Sequence, residues 1–162
     1  MEKQAQPYNL NYTWPANLVP ILWRGEKPVE NIRPGLRGEQ TTTVTRALVA
    51  SHLGSGGIDV YATPAMIALM EAAAVAAIDH LLPEGQASVG VELSVKHLAA
   101  TPPGQRVRAQ AEVTDVEGRR VTFAIRAWDE DELIGEGVHT RYVIDIERFL
   151  KKVQAKARPA PE

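Results

Sequence analysis

Residues 63–80 read TPAMIALMEAAAVAAIDH, and this stretch decides the fold. From Ala65 to Ile78 every residue is apolar except Glu71. A helix that is apolar on all sides belongs in a core. A bare carboxylate in that setting costs several kcal/mol, as a rough figure, unless it is paired or protonated. Thr63 followed by Pro64 predicts the helix start, with threonine as the cap and proline at the first helical position. Pro83, Glu84 and Gly85 predict its end near Leu82. Alanines at 72, 73, 74, 76 and 77 make the second half thin, so other backbone can approach it closely.

Downstream, four strands are expected. Ser88–Leu98 alternates, with Val89, Val91, Leu93 and Val95 on one face and Glu92, Ser94 and Lys96 on the other. The same parity puts His97 on the apolar face. Gln105–Thr114 sends Val107, Ala109, Ala111 and Val113 inward, and Arg119–Trp128 does so with Val121, Phe123, Ile125 and Ala127. Leu133–Ile144 places Ile134, Val138, Tyr142 and Ile144 inside. Upstream, the β-branched run 39–49 reads as one more strand, and the glycine-containing loop 50–62 leads into the helix. The order predicts an α+β layer arrangement, an antiparallel β-sheet with one face covered by a long α-helix.

The body spans 39–145 as one domain. Residues 1–38 carry Pro7, Pro15, Pro20, Pro28 and Pro34 together with Trp14 and Trp23. Proline at that density excludes long regular elements, and the aromatics argue against pure disorder. An extended arm lying against the body or a partner subunit is expected, with a loose tail as the alternative. Residues 145–157 suit a short amphipathic helix, within a C-terminal segment 146–162 that ends in a tail.

Composition excludes several functions. The net charge of −2 offers no basic footprint for nucleic acid. The absence of cysteine removes disulfides, thiolate zinc sites and thiol nucleophiles. The N-terminal residues lack the apolar run of a signal peptide, and the apolar segment 64–78 falls short of a bilayer span. A cytoplasmic protein with no membrane partner is expected. No metal-ligand spacing is present, and Gly54-Ser55-Gly56-Gly57 lacks the Lys-Ser/Thr of a phosphate loop.

Three polar groups point into apolar surroundings: Thr63, Glu71 and His97. Thr63 and Glu71 are two helical turns apart with about 80° of rotation, so both can border one groove. A hydroxyl, a carboxylate and an imidazole around one groove suit hydrolysis. The helix start adds the N–H groups of Ala65 and Met66 for a developing oxyanion. Each residue also has a plainer reading. Thr63 serves as a cap, Glu71 forms a structural ion pair, and His97 sits satisfied at a strand end. His52, His80 and His139 read as ordinary, His139 by falling on the polar parity of its strand.

The run VGVELSVKHLAATPPG (89–104), with TPAMIALMEAAA (63–74) before it and GEGVHTRYVI (135–144) after it, resembles the fluoroacetyl-CoA thioesterase family of the hotdog superfamily. That resemblance implies a hotdog fold, a sheet wrapped around a central helix. It implies an acyl-CoA thioesterase with Thr63, Glu71 and His97 as catalytic set, and with Thr63, Glu71 or water as nucleophile. It places Gly90 at the acyl thioester and Arg141 near coenzyme A. It further implies a homodimer and no cofactor, since coenzyme A is part of the substrate. The loop 50–62 departs from the fluoroacetate-specific pattern, with Tyr61 as its only aromatic where that pattern has phenylalanines. Two other functions remain open: a hotdog enoyl-CoA hydratase, whose Asp/His signature is not found here, and a non-catalytic acyl-CoA-binding protein.

Overall fold

The structure is a computed structural model that describes residues 28–157; the N-terminal arm expected over 1–38 lies, for residues 1–27, outside the described residues. Five strands form one antiparallel sheet in the order β1-β3-β4-β5-β2. They are β1 (Arg37–Thr43), β2 (Gln86–His97), β3 (Arg106–Glu117), β4 (Arg120–Trp128) and β5 (Leu133–Asp145). A short helix α1 (Ala50–Leu53) precedes the long helix α2 (Thr63–Ile78), and α3 (Ile146–Gln154) ends the described chain. The sheet domain starts earlier than residue 39. β1 begins at Arg37, Ile32 is in the core, and the Gly35 N–H donates to the Val113 carbonyl. The strand expected over 39–49 stops at Thr43, because Arg46–Leu48 forms a 3-10 turn that swings the chain toward α1.

α2 lies across the concave face of the sheet. Its Ala65, Met66, Met70, Ala73, Ala74, Ala77 and Ile78 are buried. Opposite them stand Val107, Ala109, Ala111 and Val113 of β3 and Val121, Phe123, Ile125 and Ala127 of β4, all inward as the alternation predicts. The thin half of α2 meets β1 where Gly38 has no side chain. A Cβ there would lie 2.3 Å from the Ala73 carbonyl oxygen and 2.4 Å from the Ala77 nitrogen. Only glycine permits that approach. The run Thr63–Leu81, including a 3-10 turn at Asp79–Leu81, is 19 residues long and apolar enough to cross a membrane by length and composition, yet its core residues pack on the sheet.

The helix is not covered all round. Pro64, Ala68 and Ala72 are exposed, and Glu71 and Val75 are partly so. These residues make one apolar strip that the chain's own sheet does not reach.

Two parities differ from expectation. Between Gly90 and Glu92 the pairing of β2 with β5 slips, leaving Val91 as an extra residue. An added residue reverses the faces beyond it. Leu93, Val95 and His97 face the helix as expected, but before the bulge Ser88 and Gly90 do so and Val89 turns outward. On β5, register with the inward residues of β4 puts Gly135, Gly137, His139, Arg141 and Val143 on the helix side. Val138, Tyr142 and Ile144, expected inside, take the other face. Tyr142 and Ile144 are buried there too, so β5 shows no clean apolar alternation.

Candidate active site

Thr63 is the first residue of α2 rather than its cap. Ala62 occupies the cap position, and no side chain caps the helix. This frees the hydroxyl, and Thr63 Oγ1 lies 2.8 Å from His97 Nδ1 at the end of β2. The other ring nitrogen, Nε2, is shielded from solvent and finds no hydrogen-bond partner among the described residues. Burial holds the His97 pKa below that of a free imidazole, opposed in part by the Ala99 backbone. The neutral ring is therefore favoured, which is the form that takes a proton from a hydroxyl. Of the two backbone donors expected at the helix start, Met66 N–H is already spent on the Ala62 carbonyl, which leaves Ala65.

Glu71 has partners of its own. Its Oε2 accepts from Arg141 Nη1 at 3.4 Å and lies 3.6 Å from His139 Nε2. Gly90 faces the same carboxylate: a Cβ on Gly90 would sit 2.7 Å from Glu71 Oε2 and 3.1 Å from His139 Cε1. Arg141 is buried, with its Nε donating to Ser88 Oγ at 2.7 Å and Nη2 to the Ser88 carbonyl at 2.8 Å. Ser88 in turn donates to Asp79 at the end of α2. The cation is thus flanked by two carboxylates, and these offset part of its cost of burial, which still holds the guanidinium pKa below its ordinary value. About 40% of the Glu71 side chain stays open to solvent, so the carboxylate borders the uncovered strip and is not sealed in hydrocarbon.

Within one chain the three expected catalytic residues do not converge. Thr63 and His97 form one cluster; Glu71, Gly90 and Arg141 form another. Eight helical residues separate Thr63 from Glu71, about 12 Å along the axis. On the sheet, His97 pairs with Gly135 and Leu93 with His139, about 13 Å apart at strand rise. Both clusters open on the same strip of α2.

His139 is the residue that the alternation of its strand hid. It is 1% exposed, on the helix side, between Arg141 and Glu71. Gly135 was the available signal. Its missing side chain accommodates Met66 and Met70, so the face of β5 carrying Gly135 is the one pressed on α2. His139 shares that face. Tyr61, the aromatic of the loop, is turned into the core with its pKa pushed up to about 12 by burial. The apolar side chains that this loop exposes are Leu53 and Ile58. Among the described residues, no group of three or more His, Cys, Asp or Glu is placed to hold a metal.

Residues 44–147 match the model of the fluoroacetyl-CoA-specific thioesterase family. The chain belongs to that family. It is 45% identical over 98 residues to the fluoroacetyl-CoA thioesterase of Streptantibioticus cattleyicolor, covering 60% of this chain and 70% of that protein. A solved structure of the fluoroacetyl-CoA thioesterase FlK is 37% identical, covers 80% of this chain and 100% of that one, and superposes with a TM-score of 0.74. A thioesterase superfamily member from Thermus thermophilus is 29% identical over 79% of this chain and 97% of that one, with a TM-score of 0.72. The fold is the hotdog fold that the resemblance implies. The matched range 44–147 spans the positions of Thr63, Glu71, Gly90, His97 and Arg141.

Proposed function

We propose that this protein is an acyl-CoA thioesterase that hydrolyses a small or medium acyl thioester to the carboxylic acid and free coenzyme A. The observation that carries the reading is the Thr63–His97 pair, 2.8 Å apart at the start of the central helix, in a chain of this family. His97 removes the proton from the attacking oxygen, which belongs to Thr63 itself or to a water that Thr63 holds. The Ala65 N–H stands where the carbonyl oxygen gains charge. When the C–S bond breaks, the proton on His97 passes to the thiolate, giving free coenzyme A; where Thr63 is the nucleophile, a water deprotonated by His97 then cleaves the Thr63 ester, releasing the acid and restoring the hydroxyl. No cofactor is needed, because water is the only co-reactant. Gly90 and Arg141 belong to the substrate-binding side, Gly90 beside the acyl thioester and Arg141 near coenzyme A.

The site is completed by a second copy of the chain. The strip of Pro64, Ala68 and Ala72 is apolar and open, and among the described residues β2 pairs only with β5, which leaves its other edge free. A two-fold axis beside β2 would join the free edges and cover the strip. The two α2 helices would then run antiparallel, bringing Glu71 of one copy toward the Thr63–His97 pair of the other. Glu71 orients or activates the attacking group there, or attacks directly. The protein acts in the cytoplasm, without nucleic acid or membrane as partner. The loop 50–62 has Leu53 and Ile58 exposed and no phenylalanine, so an acyl group other than fluoroacetyl is favoured.

A panel of acyl-CoAs, scored for free thiol and for hydration of enoyl-CoA, tests the reading. Thiol release that is lost in His97→Ala supports it. Hydration without thiol points to a hydratase, and tight binding without turnover to a binding protein; either result overturns it.

A further inference from the structure

We propose that His139 is a positioning residue for Glu71, acting as a neutral acceptor that aims Arg141; this rests on the thioesterase reading for its kinetic consequence. The hydrogen bonds fix the ring's proton. Nδ1 lies 2.9 Å from the Glu92 carbonyl oxygen, which can only accept, so Nδ1 carries the hydrogen. Nε2 is then a bare lone pair in the neutral ring. Arg141 Nη1, which can only donate, is 3.2 Å from it. The N–H groups of Arg141 are thereby divided: Nε to Ser88 Oγ, Nη2 to the Ser88 carbonyl, and Nη1 between His139 Nε2 and Glu71 Oε2. That division holds together only while His139 is neutral.

The ring itself is held. Phe123 stacks on it, with centroids 6.2 Å apart and planes at 29°. Glu92 lies at the β2 bulge, and its side chain is tied to Arg120 at 3.0 Å, which steadies the carbonyl that takes the Nδ1 hydrogen. The result for Glu71 is asymmetric. Oε2 is held by Arg141, while Oε1 has no partner among the described residues and stays available for chemistry.

Protonation would undo the arrangement. It would place a second cation against Arg141 and turn Nε2 into a donor whose available acceptor is Glu71. The charged groups bearing on His139 are Arg141 on its own strand and Glu71 on α2, with Asp79 reaching Arg141 through Ser88. Burial and Arg141 both keep the ring neutral at ordinary pH.

Two variants and one spectrum test this in the full-length protein. His139→Leu fills the space without an acceptor, and His139→Gln offers an amide oxygen near the Nε2 position. Circular dichroism and melting establish that each folds. His139→Leu is expected to lower kcat by roughly 10- to 100-fold, the scale of a misplacement near 1 Å, with KM for the acyl-CoA little changed. His139→Gln is expected to recover most of the loss. Wild-type kcat in His139→Leu, or a folded His139→Gln that is as impaired as His139→Leu, overturns the proposal. The 15N shifts of the ring give an answer independent of turnover: a neutral Nδ1–H tautomer at pH 7 is expected, and an Nε2–H tautomer or a protonated ring overturns it. If the wild-type protein releases thiol from no acyl-CoA, the thioesterase reading fails, and the tautomer alone decides the arrangement around Arg141.

Discussion

Gly90→Ala isolates the placement of the Glu71 carboxylate from the stability of the fold. Gly90 sits in β2 without a positive φ, so alanine meets no backbone strain there. Replacing a strand glycine removes unfolded-state freedom, which favours the variant by about 0.5–1 kcal/mol. The added methyl would lie 2.7 Å from Glu71 Oε2, where ordinary contact begins at 3.4 Å. The carboxylate must therefore retreat by about 0.7 Å. Its bond to Arg141 Nη1, at 3.4 Å, has little length to spare. His139 Cε1, at 3.1 Å, must give by about 0.3 Å as well. A glutamate side chain can make such a move cheaply, so the melting temperature should hold or rise slightly. Turnover should not hold, because displacements near 1 Å cost on the order of 10²-fold in rate. A loss of roughly 10- to 100-fold in kcat/KM is expected in a thiol-release assay on the best acyl-CoA. Wild-type kcat/KM in a folded Gly90→Ala would refute the view that Glu71 must stand where it does.

The other expectations are shorter. Thr63→Val removes the hydroxyl at an exposed position, and His97→Ala removes its partner; each should lower turnover by about 10²- to 10⁴-fold with the melting temperature kept, measured by thiol release. Since burial lowers the His97 pKa below 6.5, the base stays neutral, and kcat/KM should hold to a pH below 6.5 before the acid limb sets in; an acid limb above 6.5 would contradict this. Gly38→Ala drives a methyl into the Ala73 carbonyl and the Ala77 nitrogen, which are backbone atoms that cannot step aside, and should cost about 1–3 kcal/mol, seen as a lower melting temperature. Ala68→Glu places a charge on the open strip of α2 and should give a folded, inactive monomer by size-exclusion chromatography.

Much of the architecture is legible in the sequence. Thr63-Pro64 and Pro83 bracket α2, and β3 and β4 alternate with apolar residues inside and mostly polar ones outside, so their faces follow from period two alone. β5 did not yield to the same rule, because Tyr142 and Ile144 are shielded on the face opposite Val143. A strand with both sides buried near its end loses the contrast that alternation depends on. β2 misled for another reason: a bulge leaves no mark in hydrophobicity, and Val91 reads like the valines around it. The members of the candidate site stood out in the sequence, and their arrangement did not. Thr63, Glu71 and His97 stood out as polar groups in apolar surroundings, yet their separation into two clusters follows from strand register. His139 was hidden by the same parity error that misplaced Tyr142.

Val91 has no counterpart on β5, and this makes β2 a strand with a phase step in its middle. The residues on either side answer to different requirements: His97 to the helix start, Ser88 and Gly90 to the carboxylate two turns further on. Removing one residue at the step would leave a continuous, well-paired strand. It would keep Gly90 opposite Arg141 and Glu92 opposite Thr140, so both halves would retain the faces they now present to α2. Drawing Val91 into the ladder without removing it would instead turn one half over, setting Val89 beside Glu71 or His97 away from Thr63, so the site depends on that residue staying out of the pairing.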